Sequence, residues 1–286
     1  MKKLWKNILF GAVIAMLLAV FVFSGFCLLA YYTGSQRNAQ EYDDLAQLLA
    51  DRPTIPLPQP TQPSEPQATE PQAEATEPEQ VMITVRNPAT GETMKVLPEY
   101  AQIYTMNPDL VGWISIEGTK INYPVVQSSL DNANYYLKRN FEKKYSSHGC
   151  LYVNEAADVF VPSDNVTIYG HRMQDGSMFG QLGFYTDKGF WKAHQYIRFD
   201  TVQERHLYQI ISVFSTTASL DQGFAYHSFV DAQDSSDFNA YVQQCMALSY
   251  YDTGITAEPG DKLITLSTCE YTNTNGRLVV IAKRIT

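Results

Sequence analysis

Thr265-Leu266-Ser267-Thr268-Cys269-Glu270, answered after a polar loop by Arg277-Leu278-Val279-Val280-Ile281, is the stretch on which the fold turns. The link between the two apolar runs, Tyr271-Thr272-Asn273-Thr274-Asn275-Gly276, ends in Asn-Gly and is otherwise polar, which suits a hairpin connection. If the two runs pair, Cys269 and Arg277 sit at facing strand ends. A guanidinium placed there stabilises a thiolate, or an oxyanion that develops during acyl transfer. Taken alone, the same residues are more commonly a buried core cysteine and an ordinary surface arginine.

Working outward, the chain from about residue 81 alternates short β-rich runs with turn residues. The runs are Val111–Ile116, Lys120–Val126, Cys150–Val153, Val166–Tyr169, Tyr196–Asp200, Leu207–Phe214, Lys262–Thr268 and Leu278–Ile281. Eight short strands with mostly polar turns predict a barrel or sandwich. Helical spacing of Tyr100, Ile103 and Tyr104 predicts a short N-terminal helix over Pro98–Met106, stopped at Asn107-Pro108. A longer helix begins after Asp234-Ser235-Ser236, with Phe238, Tyr241, Val242, Cys245 and Leu248 on one face. Neither a GxGxxG run nor a Walker-type loop is present, so a nucleotide-binding βαβ unit is excluded.

The N-terminal part reads differently. Lys2, Lys3 and Lys6 precede an apolar run from Ile8 to Tyr32. Twenty-five helical residues reach roughly 37 Å, enough to cross a hydrocarbon core of about 30 Å. The flanking charge predicts a signal-anchor with residues 1–7 cytoplasmic, residues 8–32 spanning, and the remainder extracellular. Residues 33–80 are expected to form a disordered stalk. Eight of the 14 prolines fall in residues 51–80, among Gln, Thr and Glu, with a net charge of −5. Such a segment has nothing to bury and would reach on the order of 90 Å if fully stretched. Residues 81–286 then form the globular domain.

The overall charge is −9, and no Lys/Arg cluster suggests a nucleic-acid partner. Of the four cysteines, Cys27 lies in the apolar run, which leaves Cys150, Cys245 and Cys269 and at least one unpaired thiol. No CxxC or zinc-like spacing occurs, so no metal or cofactor is expected. Cys245 falls on the apolar helix face and reads as core. His194 and His206 read as solvated turn residues.

A thiol nucleophile needs a group to exchange its proton, and Val166-Thr167-Ile168-Tyr169-Gly170-His171 presents a histidine at a strand end. Tyr169-Gly170-His171, Met178-Phe179-Gly180, Thr265-Leu266-Ser267-Thr268-Cys269 and Arg277 resemble, in order and spacing, the sortase family of cysteine transpeptidases. Asn107-Pro108-Asp109-Leu110-Val111-Gly112-Trp113-Ile114, Gly176-Ser177-Met178-Phe179-Gly180 and the helix before the cysteine strand are similar to its class B. The resemblance spans Asn107 to Arg284.

The resemblance implies a mainly β fold, an eight-stranded barrel, with Cys269 as nucleophile, His171 as proton-transfer group and Arg277 as oxyanion and substrate-backbone partner. Ser267 lies beside the substrate by the same analogy, the Glu270 backbone N–H is an oxyanion donor, and Tyr226 is a candidate to line the groove. The implied substrates are surface proteins with a C-terminal sorting motif of the Asn-Pro-x-Thr-Asn or Asn-Pro-x-Thr-Gly kind. The acceptor is an amine of peptidoglycan or, alternatively, a pilin lysine.

Two other readings stay in view. Ser147-His148-Gly149-Cys150 looks like the core of L,D-transpeptidases, but Tyr152 stands where that family wants arginine. His148 then reads as a loop residue and Cys150 as the start of a buried strand. A non-catalytic stalked surface-binding module would need none of the three chemical groups.

Overall fold

The structure, a computed structural model, describes residues 2–58, 81–217, 223–270 and 276–286, the side chains of 2–4 and 270 excepted. The chain forms two compact units, 1–44 and 45–286. Helix α1, Lys2–Gln47, carries the whole apolar run, and it is long and apolar enough to cross a membrane. Its large apolar side chains from Trp5 to Tyr32 face outward. That suits a hydrocarbon surround and not a packed protein core.

In the second unit the N-terminal hairpin comes first, with β1 at Ile83–Arg86 and β2 at Thr93–Val96. A turn of 3-10 helix leads into α2, Ala101–Met106. The strands β3 (Leu110–Ser115), β4 (Asn122–Val126), β5 (Leu151–Val153), β6 (Asn165–Tyr169), β7 (Tyr196–Thr201), β8 (Leu207–Thr217), β9 (Leu263–Glu270) and β10 (Gly276–Arg284) follow. They close a barrel in the order β10-β8-β7-β3-β4-β5-β6-β9. All eight expected runs are its staves. Two pairings, β4 with β5 and β6 with β9, are parallel, and the others are antiparallel. Closure leaves no barrel edge open to pairing with another chain.

Helix α3 (Lys188–Ala193) is capped by Asp187, whose side chain accepts from the Phe190 amide. Helix α4 (Ser235–Leu248) starts at Asp234, whose carboxylate accepts from the Ser236 and Asp237 amides at 2.8 and 2.9 Å. The buried α4 face, Phe238, Tyr241, Val242 and Cys245, packs with Leu263 of β9, Val279 and Ile281 of β10, and Ile211 and Phe214 of β8. At about 1.5–3 kcal/mol for each large apolar side chain buried, this contact fixes α4 on the outer wall of those staves. Residues alternating with Leu263 and Val279, such as Leu266 and Val280, are fully buried and fill the barrel interior.

Several details depart from the expectations. α1 continues past residue 32 to Gln47, and part of what reads as stalk is packed: Leu45 and Leu49 are buried. Arg52 lies over the Trp113 ring at 5.7 Å, and Arg198 Nε donates to the Ile55 carbonyl at 3.1 Å. The extended stalk expected over 59–80 lies outside the described residues. His206 is buried rather than solvated, which pushes its pKa down. His194 closes α3, with Nδ1 2.8 Å from the Glu117 carbonyl.

Candidate active site

Three neighbouring staves build the site. β6 and β9 run parallel in the register Asn165↔Leu263, Thr167↔Thr265 and Tyr169↔Ser267, and the Gly170 amide extends the ladder by donating to the Ser267 carbonyl at 3.1 Å. Carried two residues further, this register sets His171 level with Cys269 on the same face. Across β9 and β10, Cys269 is directly opposite Arg277, and Ser267 is opposite Val279. Opposed residues share a face, with Cβ atoms about 5 Å apart. His171, Cys269 and Arg277 thus come from adjacent staves to one end of one outer wall. Farther down that wall lies the α4 contact.

The wall between α4 and this end is polar but neutral. Thr265 Oγ1 donates to Asn165 Oδ1 at 2.7 Å, and Asn165 Nδ2 donates to the Phe229 carbonyl at 3.0 Å. Tyr226 Oη and Ser267 Oγ lie 2.6 Å apart, so Tyr226 and Ser267 are joined two residues below Cys269. Glu270 ends β9 opposite Gly276.

His171 is half-buried, and its Nε2 lies 2.7 Å from the Leu137 carbonyl. A carbonyl only accepts, so Nε2 carries a proton, and Nδ1 is the nitrogen left to exchange one. Gly170 lets the histidine strand come this close to its neighbours. A Cβ there would meet Leu151 Cδ2 at 2.4 Å and Phe179 Cδ2 at 2.6 Å. Arg277 Nη1 donates to the Gly276 carbonyl at 3.0 Å.

Sequence reasoning missed three members of this surface: Tyr152, Tyr169 and Asn154. Tyr152 is paired with Tyr169 across β5 and β6, their rings 5.4 Å apart, and Asn154 Nδ2 donates to Tyr169 Oη and to the His227 carbonyl, both at 3.2 Å. The period-two step back from His171 to Tyr169 is the signal that could have found them. Burial pushes the Tyr152 pKa up to about 12, with Arg277 opposing and Cys269 adding to the rise. Burial also raises that of Tyr226, which feels Arg277 and Cys269 in the same opposed senses. Both phenols therefore lie within electrostatic reach of the cysteine and the arginine.

Among the thiols of this unit, Cys150 and Cys245 are buried and Cys269 is half-exposed. Burial pushes the Cys245 thiol up to about 12, far from a nucleophile's range. Among the described residues no group of three or more His, Cys, Asp or Glu is arranged to hold a metal ion.

Comparisons with known proteins point to one family. The sequence pattern described as the sortase domain matches residues 114–285. Sortase B of Listeria monocytogenes is 32% identical over 199 residues, which cover 69% of this chain and 78% of that protein. The structure is similar to sortase B from B. anthracis in complex with AAEK1 (TM-score 0.65, 25% identity, covering 89% of this chain and 99% of that one). It is also similar to a Staphylococcus aureus sortase B–substrate complex (TM-score 0.61, 29% identity, covering 67% and 86%).

Proposed function

Because this chain belongs to the sortase family and is a class B-type cysteine transpeptidase, we propose that Cys269, His171 and Arg277 carry out a two-step acyl transfer on a sorting motif. The observation that carries this assignment is the shared face of β6, β9 and β10, with Cys269 opposite Arg277 and His171 level with it.

In the first step Cys269, its proton held by His171, attacks as the thiolate on the carbonyl carbon of the motif threonine. The C–S bond forms, the C–N bond breaks, and the His171 imidazolium gives its proton at Nδ1 to the leaving amine. Arg277 takes up charge on the carbonyl oxygen in the tetrahedral state, where a fixed donor is worth most. In the second step an incoming amine attacks the thioester and gives its proton back to His171. A new amide forms and the Cys269 thiolate leaves. The Glu270 backbone N–H flanks the acyl chain, and Ser267 and Tyr226, buried and joined to each other, back the wall beneath it.

The motif is of the Asn-Pro-x-Thr-Asn or Asn-Pro-x-Thr-Gly kind, and the acceptor is a cell-wall amine. α1 anchors the enzyme in the cytoplasmic membrane with its N-terminus inside and the barrel outside, in keeping with Lys2, Lys3 and Lys6. The solved S. aureus sortase B–substrate complex, to which this chain is similar, supports the reading of the barrel as a substrate-binding enzyme.

The test uses the full chain in detergent, a panel of motif peptides and a triglycine acceptor. Mass spectrometry is expected to find the N-terminal peptide fragment on Cys269. Cys269→Ala is expected to lower transfer by at least about 10³-fold, whereas Cys150→Ala keeps it. Full transfer by Cys269→Ala, or its loss in Cys150→Ala with Cys269 intact, overturns the assignment.

A further inference from the structure

Between β4 and β5 the chain must turn back beside the strand end that carries His171. Gly149 makes this turn at a left-handed φ of +62°, where a Cβ would meet the Leu137 and Tyr136 carbonyl oxygens at 2.7 and 2.8 Å. The residue before it, His148, is buried. The same segment hangs on the short turn Tyr135–Lys138: the Cys150 amide donates to the Tyr136 carbonyl and the Ser146 amide to the Lys138 carbonyl, each at 3.1 Å. The carbonyl between those two, Leu137, is the one that receives His171 Nε2–H.

The His148 ring faces Asp175. Its Nε2 is buried without a hydrogen-bond partner among the described residues and lies 3.7 Å from Asp175 Oδ2. Asp175 offers only acceptor oxygens, which favours the tautomer with Nε2–H facing it and leaves Nδ1, 3.3 Å from Ser147 Oγ, to take that hydroxyl's hydrogen. Asp175 tips the hairpin that follows His171. There Arg172 bridges Met178, and the Phe179 amide donates to the His171 carbonyl at 3.0 Å. Asp175 Oδ1 accepts from the Ser177 amide at 2.9 Å and from its hydroxyl at 2.6 Å, and Lys120 Nζ donates to the Asp175 carbonyl at 2.9 Å. One loop thus holds the His171 ring, the other holds its backbone, and His148 stands between them.

We propose that His148 is a positioning residue, wedged between the Tyr135–Cys150 loop and Asp175, that keeps the His171 imidazole turned with Nε2 on Leu137 and Nδ1 left for proton transfer. The proposal rests on the reading of His171 as the proton-transfer group. Histidine suits the place better than lysine. Burial pushes the His148 pKa down, Asp175 opposes that and His171 adds to it. The wedge therefore stays neutral near pH 7 and sets no fixed positive charge beside His171.

The test reads His171 directly. In the full chain labelled with ¹⁵N-histidine, the Nε2–H bonded to Leu137 is expected to give an imidazole proton signal protected from water exchange, assigned by its absence in His171→Gln. His148→Ala is expected to lose this signal and to lower kcat about tenfold, with KM within twofold. Asp175→Ala alters a side chain 37% exposed at a loop tip and, with its fold checked by circular dichroism, is expected to do the same. His148→Gln keeps an N–H donor facing Asp175 and is expected to recover both signal and kcat to within about threefold. An undiminished His171 signal in folded His148→Ala and Asp175→Ala overturns the proposal. Loss of the signal upholds the positioning even if turnover is unaltered, in which case it is the proposed role of His171 that fails.

Discussion

Two parts of the barrel's outer wall bury polar groups, and they do so by opposite means. On β6 and β9 the buried groups are neutral hydroxyls and amides: Asn165, Thr167, Thr265 and Ser267, capped by Tyr226 and Tyr241. On β7 the buried group is a carboxylate. Asp200 accepts from Tyr100 Oη at 2.9 Å and lies 3.7 Å from Arg52 Nε, beneath the segment that follows α1. Burial raises the Asp200 pKa, against Tyr100 and Arg52. A neutral network keeps its geometry when one end opens to solvent, whereas a buried charge is tolerable only when its partners enclose it. The open wall ends in Cys269. The closed one holds residues 45–58 on the barrel.

Removing the charge is the hardest blow to this contrast. Asp200→Ala strands Arg52 and Tyr100 beneath the 45–58 segment and is expected to cost about 3–5 kcal/mol, the range for breaking a buried pair by deleting one partner. Urea unfolding of the full chain measures the loss, and transfer activity per folded molecule should stay within twofold. A loss below about 1 kcal/mol would mean that Asp200 is no less replaceable than a surface residue, and the distinction between the walls would go.

The contrast also shows what the sequence could reveal. Each stave was legible because β-branched runs such as Leu278–Ile281 stop at turn residues, and the strand-end positions of His171, Cys269 and Arg277 follow from the same pattern. The hairpin of β1 and β2 was missed because its strands are only four residues long and largely exposed, too short for their alternation to stand out. α3 was missed because six residues are too few for a helical period to emerge. The packing of Leu49 and Arg52 was hidden by Pro53, Pro56 and Pro58, which make the local composition resemble a linker. Tertiary partners such as Trp113, Asp200 and Arg198 order it. His148 reads as a loop residue, and its burial follows from the left-handed turn at Gly149, which spacing does not announce.

The neutral wall can be probed from its reverse side. Thr268, between Ser267 and Cys269, points to the barrel interior, where its buried Oγ1 has no hydrogen-bond partner among the described residues. An unsatisfied buried hydroxyl costs about 1–3 kcal/mol, and valine keeps the shape without it. Thr268→Val is therefore expected to raise stability by about 1 kcal/mol. Thermal unfolding checks the sign: a destabilisation of that size would show that the hydroxyl is satisfied, and that the interior face as well as the outer one of β9 is a polar network.

The smallest effect tests where charge is allowed on the site wall at all. At the end of β6 and β9 opposite Cys269, Asp164 receives Lys262 Nζ at 2.8 Å and the Ala232 amide at 3.0 Å, and its own carbonyl receives the Leu263 amide at 2.8 Å. Burial pushes the Asp164 pKa up, but the bond and charge of Lys262 and the Ala232 amide outweigh it and hold the carboxyl below its usual range. A depressed folded pKa means that the stabilisation is present above the ordinary aspartate value of about 3.9 and is lost as pH falls through the lower folded value. Both side chains are about a quarter exposed, so screening limits the pair to under about 1 kcal/mol. Asp164→Asn is expected to lower the unfolding temperature slightly at pH 7 and to converge with the unaltered protein on acidification below about pH 4. A difference that persisted at low pH would assign the clamp to shape alone. A convergent one shows that charge on this wall acts only at its rim, where water reaches it.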